Sequence, residues 1–146
     1  MALIITNNGE GIFLANMLKK QAGYDYTVRL FSNNVTPSAT SVSGDFIEVA
    51  GGGYSTQALT AATWGITGTN PTTASYGATI SFTFTGAPST NGGYVYGYYV
   101  TVTTAGADSG VDVWGDRFTN APIIIANNGD EIRITTLTIG LNNASE

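Results

Sequence analysis

From Tyr26 onward the chain alternates apolar and polar positions with a period of two. In the run Tyr26 to Phe31, Tyr26, Val28 and Leu30 oppose Thr27, Arg29 and Phe31. In Thr79 to Thr85, Ile80, Phe82 and Phe84 oppose four hydroxyl residues. Such alternation predicts half-buried β-strands, because successive side chains point to opposite faces. Tyr94 to Thr104 extends it, with Tyr94, Tyr96, Tyr98, Val100 and Val102 on one face. Phe46 to Ala50, Tyr54 to Thr60, Ala61 to Ile66, Val111 to Phe118, Pro122 to Ala126 and Glu131 to Leu141 are shorter or weaker strand candidates. Between them stand Ser32 to Pro37, Gly51-Gly52-Gly53, Asn70-Pro71, Ser89 to Gly93 and Asn127-Asn128-Gly129-Asp130. The Asn-Gly step in the last is a hairpin signal, and the glycine run reads as a strand break or bulge.

One segment has a different period. Phe13, Leu14, Met17 and Leu18 share one helical face, Asn7 and Glu10 form a relaxed capping box, Lys19 and Lys20 sit in the last turn, and Gly23 closes it. This predicts a helix over about 8–22, either plugging an open end of the β-structure or docking a partner. The expectation is therefore an all-β, jelly-roll-like antiparallel β-sandwich with one short N-terminal α-helix, in one domain over 1–146. The tail from Asn142 to Glu146 is expected to fray.

Composition narrows the chemistry. The 146 residues include no Cys and no His, so thiol nucleophiles, imidazole bases and Cys/His zinc sites are excluded. Only 10% of the chain is charged, against about 25% in ordinary soluble domains, so Thr, Ser, Asn, Gly and Tyr must cover the surface. The net charge is -5, and the basic residues Lys19, Lys20, Arg29, Arg117 and Arg133 are scattered, which speaks against a nucleic-acid groove. No run approaches the ~20 apolar residues of a membrane span. Met1 to Asn7 lacks the basic and apolar regions of a signal peptide, so synthesis in a cytoplasm is expected.

Three groups of residues are candidates for function. Asp108, Asp112 and Asp116 cluster in sequence, with Asp108 expected in a loop and Asp112, Trp114 and Asp116 on one strand face. They read either as weak calcium ligands or as a solvated turn that supplies a cross-strand partner for Arg117. A glycosidase-type carboxylate pair has nothing in the sequence to raise one pKa, and no catalytic residue is assigned. Tyr94, Tyr96 and Tyr98 form an aromatic row that reads as core rim, as protein interface or as sugar platform. Trp64 and Trp114 read as core anchors.

In order, the segments TVRLFSN (Thr27 to Asn33), DFIEVAGGGY (Asp45 to Tyr54), LTAATW (Leu59 to Trp64), ISFTFTG (Ile80 to Gly86), YGYYVT (Tyr96 to Thr101), WGDRF (Trp114 to Phe118) and NNGDEIRIT (Asn127 to Thr135) follow the helical stretch Glu10 to Gln21. This succession resembles small virion proteins of tailed phages, including cyanophages, among them capsid decoration or cement proteins of jelly-roll or β-sandwich type. The resemblance covers nearly the full length and rests on strand and turn signatures, with no catalytic motif to carry over. It implies a non-enzymatic role on the capsid exterior, with the major capsid protein and further copies of itself as partners, as a trimer. No cofactor, nucleic acid or membrane is implied. A phage tail or receptor-binding module, with a glycan or protein site on loops such as Thr104 to Gly110, and a carbohydrate-binding module or lectin are the alternatives.

Overall fold

The computed structural model describes residues 4–5, 24–60, 63–67, 72–104 and 107–141. The expected helix over 8–22 and the tail from Asn142 lie outside the described residues. Within them the chain is all-β, an antiparallel sandwich-like fold. Its strands are β1 (Ile4–Ile5), β2 (Tyr24–Phe31), β3 (Gln57–Leu59), β4 (Trp64–Thr67), β5 (Thr72–Tyr76), β6 (Ile80–Thr83), β7 (Tyr94–Val95), β8 (Gly97–Thr104), β9 (Ala107–Arg117), β10 (Ile123–Ile124), β11 (Glu131–Ile134) and β12 (Leu137–Leu141).

The second half of the chain pairs in nested order. β8 pairs with β9, β7 with β10, β6 with β11 and β5 with β12, all antiparallel. This is a long hairpin rolled on itself, the pairing of a jelly roll. β4 extends β5 into a three-stranded sheet, and β1-β9-β8-β2-β3 forms the largest sheet.

Side-chain alternation places the core. Val28 and Leu30 of β2, Ile80 and Phe82 of β6, Val100 and Val102 of β8, Ile132 and Ile134 of β11, and Leu137 and Ile139 of β12 meet in one buried cluster around Trp114. Trp114 and Trp64 meet edge to face with ring centroids 6.1 Å apart, so both tryptophans serve the interior. On the other side of β2 and β8, Phe31, Phe46 and Tyr99 form a second cluster, joined by Val35 and Tyr96. This explains why Phe31, expected opposite the core, is nonetheless fully buried.

Several expected boundaries shift, each for a physical reason. Phe46 to Ala50 is not a strand: it meets β2 through one isolated bridge, Phe31 with Glu48. Arg29 there binds the Glu48 carboxylate at 2.8 Å, and the Tyr54 hydroxyl donates to the same carboxylate at 3.1 Å while accepting from Leu30 N at 3.0 Å. Burial raises the Tyr54 phenol pKa, so it stays a donor. The adjoining Gly52 has φ +60°, and a Cβ there would collide with the Gly86 carbonyl, so the glycine run is a turn packed against the end of β6. Glu131 to Leu141 breaks at Thr135-Thr136 into β11 and β12, which belong to different sheets. The Asn127–Asp130 turn is no simple hairpin. β10 and β11 on either side of it pair with different strands, while Gly129 N donates to Phe84 O and Phe84 N to Asp130 O. The Asp130 carboxylate accepts from Ala126 N and Asn127 N at 2.8 and 2.9 Å, which locks the turn and holds the carboxyl below its usual pKa.

Candidate functional site

The expected tyrosine row does not form. Tyr94 lies on β7 and is 41% exposed, Tyr96 is half-buried, and Tyr98 on β8 is 0% exposed. The strand is interrupted at Tyr96, and Gly97 restarts it. A Cβ at position 97 would run into the Asp116 carbonyl and the Phe31 ring, so only glycine lets β8 approach β9 and Phe31 this closely. Tyr96 N bonds to Phe31 O, and Phe118 N to Tyr96 O, outside the regular ladder. Val95 and Tyr98 consequently enter the main core, three residues apart, whereas Tyr96 and Tyr99 join the second cluster. The Arg117 guanidinium covers the Tyr96 ring at 4.9 Å and donates to Val35 O at 3.1 Å. Among the described residues, the partners of Arg117 are thus an aromatic face and a carbonyl.

The three aspartates do not gather at one point either. Asp108 is in β9, not in a loop before it, because the strand reaches back to Ala107. The pairing slips between Val100 and Thr101 and again between Val102 and Thr103. Val113 and Trp114 therefore both reach the core. Asp108 pairs with Thr103, Asp112 with Thr101 and Asp116 with Tyr98. The outer two partners are five residues apart on β8, roughly 17 Å at strand rise, far beyond the span of one calcium ion's ligands.

Two features remain. The first is outward-facing. Tyr94 and Ile124 are direct partners across the β7–β10 pair, and Ile124 is 60% exposed. Val42 and Ile47, on either side of the 3-10 turn Ser43–Asp45, are also exposed, so among the described residues four large apolar side chains face solvent. The Asn33 side chain holds that turn by bonding Asp45 O and Ile47 N at 2.7 and 2.8 Å.

The second is inward. Tyr98 and Asp116 are cross-strand partners, so their side chains share a face. Asp116 is 8% exposed. Its Oδ1 accepts from Arg117 N at 2.8 Å. Among the described residues, Oδ2 and the Tyr98 hydroxyl are buried without a hydrogen-bond partner. Burial raises the Tyr98 pKa, and the Asp116 charge raises it further; burial also raises the Asp116 carboxyl above the usual carboxylate range. Beside Tyr98 opens a cavity of about 210 Å³ lined by Tyr98, Phe118, Arg133, Ile134, Thr135 and Thr136.

Ile124 and the Thr135-Thr136 link were not singled out by sequence. The Ile123-Ile124-Ile125 run carried a readable signal, since period two must send one of three consecutive isoleucines outward. The threonines carried none.

The fold and these two features define an all-β module with an exposed Tyr94–Ile124 pair and a small cavity beside Tyr98. Compared with protein-family models, with curated proteins and with solved structures, the chain returns no match. Among the described residues no helix is long and apolar enough to cross a membrane.

Proposed function

We propose that this chain is a non-enzymatic structural protein of a phage virion, a capsid cement protein that assembles as a homotrimer and bridges neighbouring capsomers from the outside. The observation that carries the proposal is the exposed Tyr94–Ile124 pair on a surface with few charges to oppose association. Tyrosine is enriched in protein interfaces, and charged residues are depleted from their centres. The resemblance of the strand succession to phage decoration proteins supplies the setting. The mechanism is physical: a protein that binds the assembled shell and not its free subunits stabilises the shell by mass action, and repetition over the lattice adds avidity.

Co-sedimentation tests this. The purified chain should pellet with shells that lack it, should remain in the supernatant with unassembled capsid subunits, and should raise the temperature at which the shells open. A chain that ignores shells but adheres to host cells would overturn the proposal in favour of a tail or receptor-binding module.

A further inference from the structure

A closed trimer cannot be built from one patch alone. Three copies around a three-fold axis meet head to tail, so each contact joins two different surfaces of the same chain. The Tyr94–Ile124 pair supplies one of them. We propose that Val42 and Ile47 supply the other. In the trimer inferred above, on which this inference rests, the Val42–Ile47 turn of one copy packs on the Tyr94–Ile124 pair of the next.

Among the described residues the exposed large apolar side chains are these four, two on each surface. A stable interface buries about 800 Å² on each partner around a centre poor in charge, more than one pair of side chains offers. Joining the two surfaces head to tail takes all four side chains out of water in every contact. A two-fold contact of Tyr94–Ile124 with itself would leave Val42 and Ile47 in water.

The Val42–Ile47 turn is held ready for a partner. Ile47 N donates to Asn33 Oδ1 at 2.8 Å, and Ile47 O accepts from Ser32 N at 2.8 Å. Val42 N donates to Asp45 Oδ2 at 2.9 Å, and Val42 O accepts from Asp45 N at 2.9 Å. The backbone of both residues is thus fixed, so docking costs little loop ordering. The Asp45 carboxylate, the charge between them, is directed at the turn's own backbone. The two surfaces are also tied together. Asn91 Nδ2 donates to Ser32 O at 2.8 Å, and the 3-10 turn Asn91–Gly93 runs straight into Tyr94. Ser32 therefore links Ile47 on one side to the approach to Tyr94 on the other. Neighbouring surfaces suit copies that converge on a three-fold axis. An open filament needs surfaces at opposite ends.

The test is complementation between two damaged copies of the full chain, read by sedimentation velocity. The double variant Val42→Ser, Ile47→Ser should be a monomer, as should Tyr94→Ser, Ile124→Ser. Circular dichroism establishes that both are folded. Each keeps one intact surface, and the intact surfaces are complementary. Mixed in equal amounts, the two variants should form a dimer and no trimer, because only one of the possible contacts joins two intact surfaces. A mixture that remains monomeric overturns the proposal. So does a Val42→Ser, Ile47→Ser variant that stays trimeric; if that trimer no longer pellets with shells, the turn docks the shell instead of the next copy. A monomeric parent overturns the trimer reading and this inference with it, whereas a trimeric parent beside a trimeric variant overturns this inference alone.

Discussion

Tyr94 and Tyr98 are four residues apart and of one kind, yet they do opposite things. Tyr94 stands in solvent beside Ile124, while Tyr98 is sealed in the core across from Asp116. An uninterrupted strand would have placed both on one face. Gly97 separates them: the interruption before it reverses which residues face inward, so one tyrosine serves the outside and the other the interior. An aromatic run in a sequence is therefore not one surface until its glycines have been accounted for.

The largest effect is expected from removing that break. Gly97→Ala places a Cβ against backbone and a buried ring, and should destabilise the protein by about 3 kcal/mol, the upper end for overpacking, measured by urea unfolding. The same substitution at Gly44, where a Cβ meets nothing, should change stability by under about 0.5 kcal/mol.

Next comes the inner tyrosine against the outer one. Tyr98→Phe removes a buried hydroxyl that has no partner among the described residues and should stabilise by about 1 kcal/mol. Tyr94→Phe should leave the melting temperature unchanged.

Asp116 gives a smaller, pH-dependent effect. Its carboxyl pKa is raised in the folded state, so between the ordinary carboxylate value and the raised one the folded chain binds more protons than the unfolded chain. Stability from this group is then full below the ordinary value and is lost as pH rises through that window. Asp116→Asn keeps the acceptor for Arg117 N and cannot ionise, so it should melt about 3 °C higher than the parent at neutral pH. The difference should shrink on acidification to pH 4. A difference that grows on acidification would show that the carboxylate is stabilised in the fold.

Much of the architecture was legible because period-two alternation and burial coincide. Ile80, Phe82 and Phe84 point inward as expected, at 5%, 2% and 0% exposure. Trp114 and Trp64 pack in the interior as their size suggests. β5 was missed because its sequence, Thr-Thr-Ala-Ser-Tyr, has no apolar alternation; it is a strand because β4 and β12 pair with it on both sides. Asp108 belongs to β9 and not to a loop, and this is not legible because bulges, which depend on the partner strand, leave no mark in a single segment. The site was the least legible part. Gly97 did announce a break within a strand-like run. The meeting of Tyr98 with Asp116, and of Tyr98 with a cavity lined by Thr135 and Thr136, depends on the nested pairing of β8–β9 and on the position of β11.

The outer face carries the central claim, and the most direct measurement compares sedimentation velocity of the parent chain with that of the double variant Tyr94→Ser, Ile124→Ser. Both positions are exposed, so the variant should fold with a melting temperature close to the parent's. The account predicts a trimer for the parent and a monomer for the variant. A parent that sediments as a monomer, or a variant that remains trimeric, would contradict it.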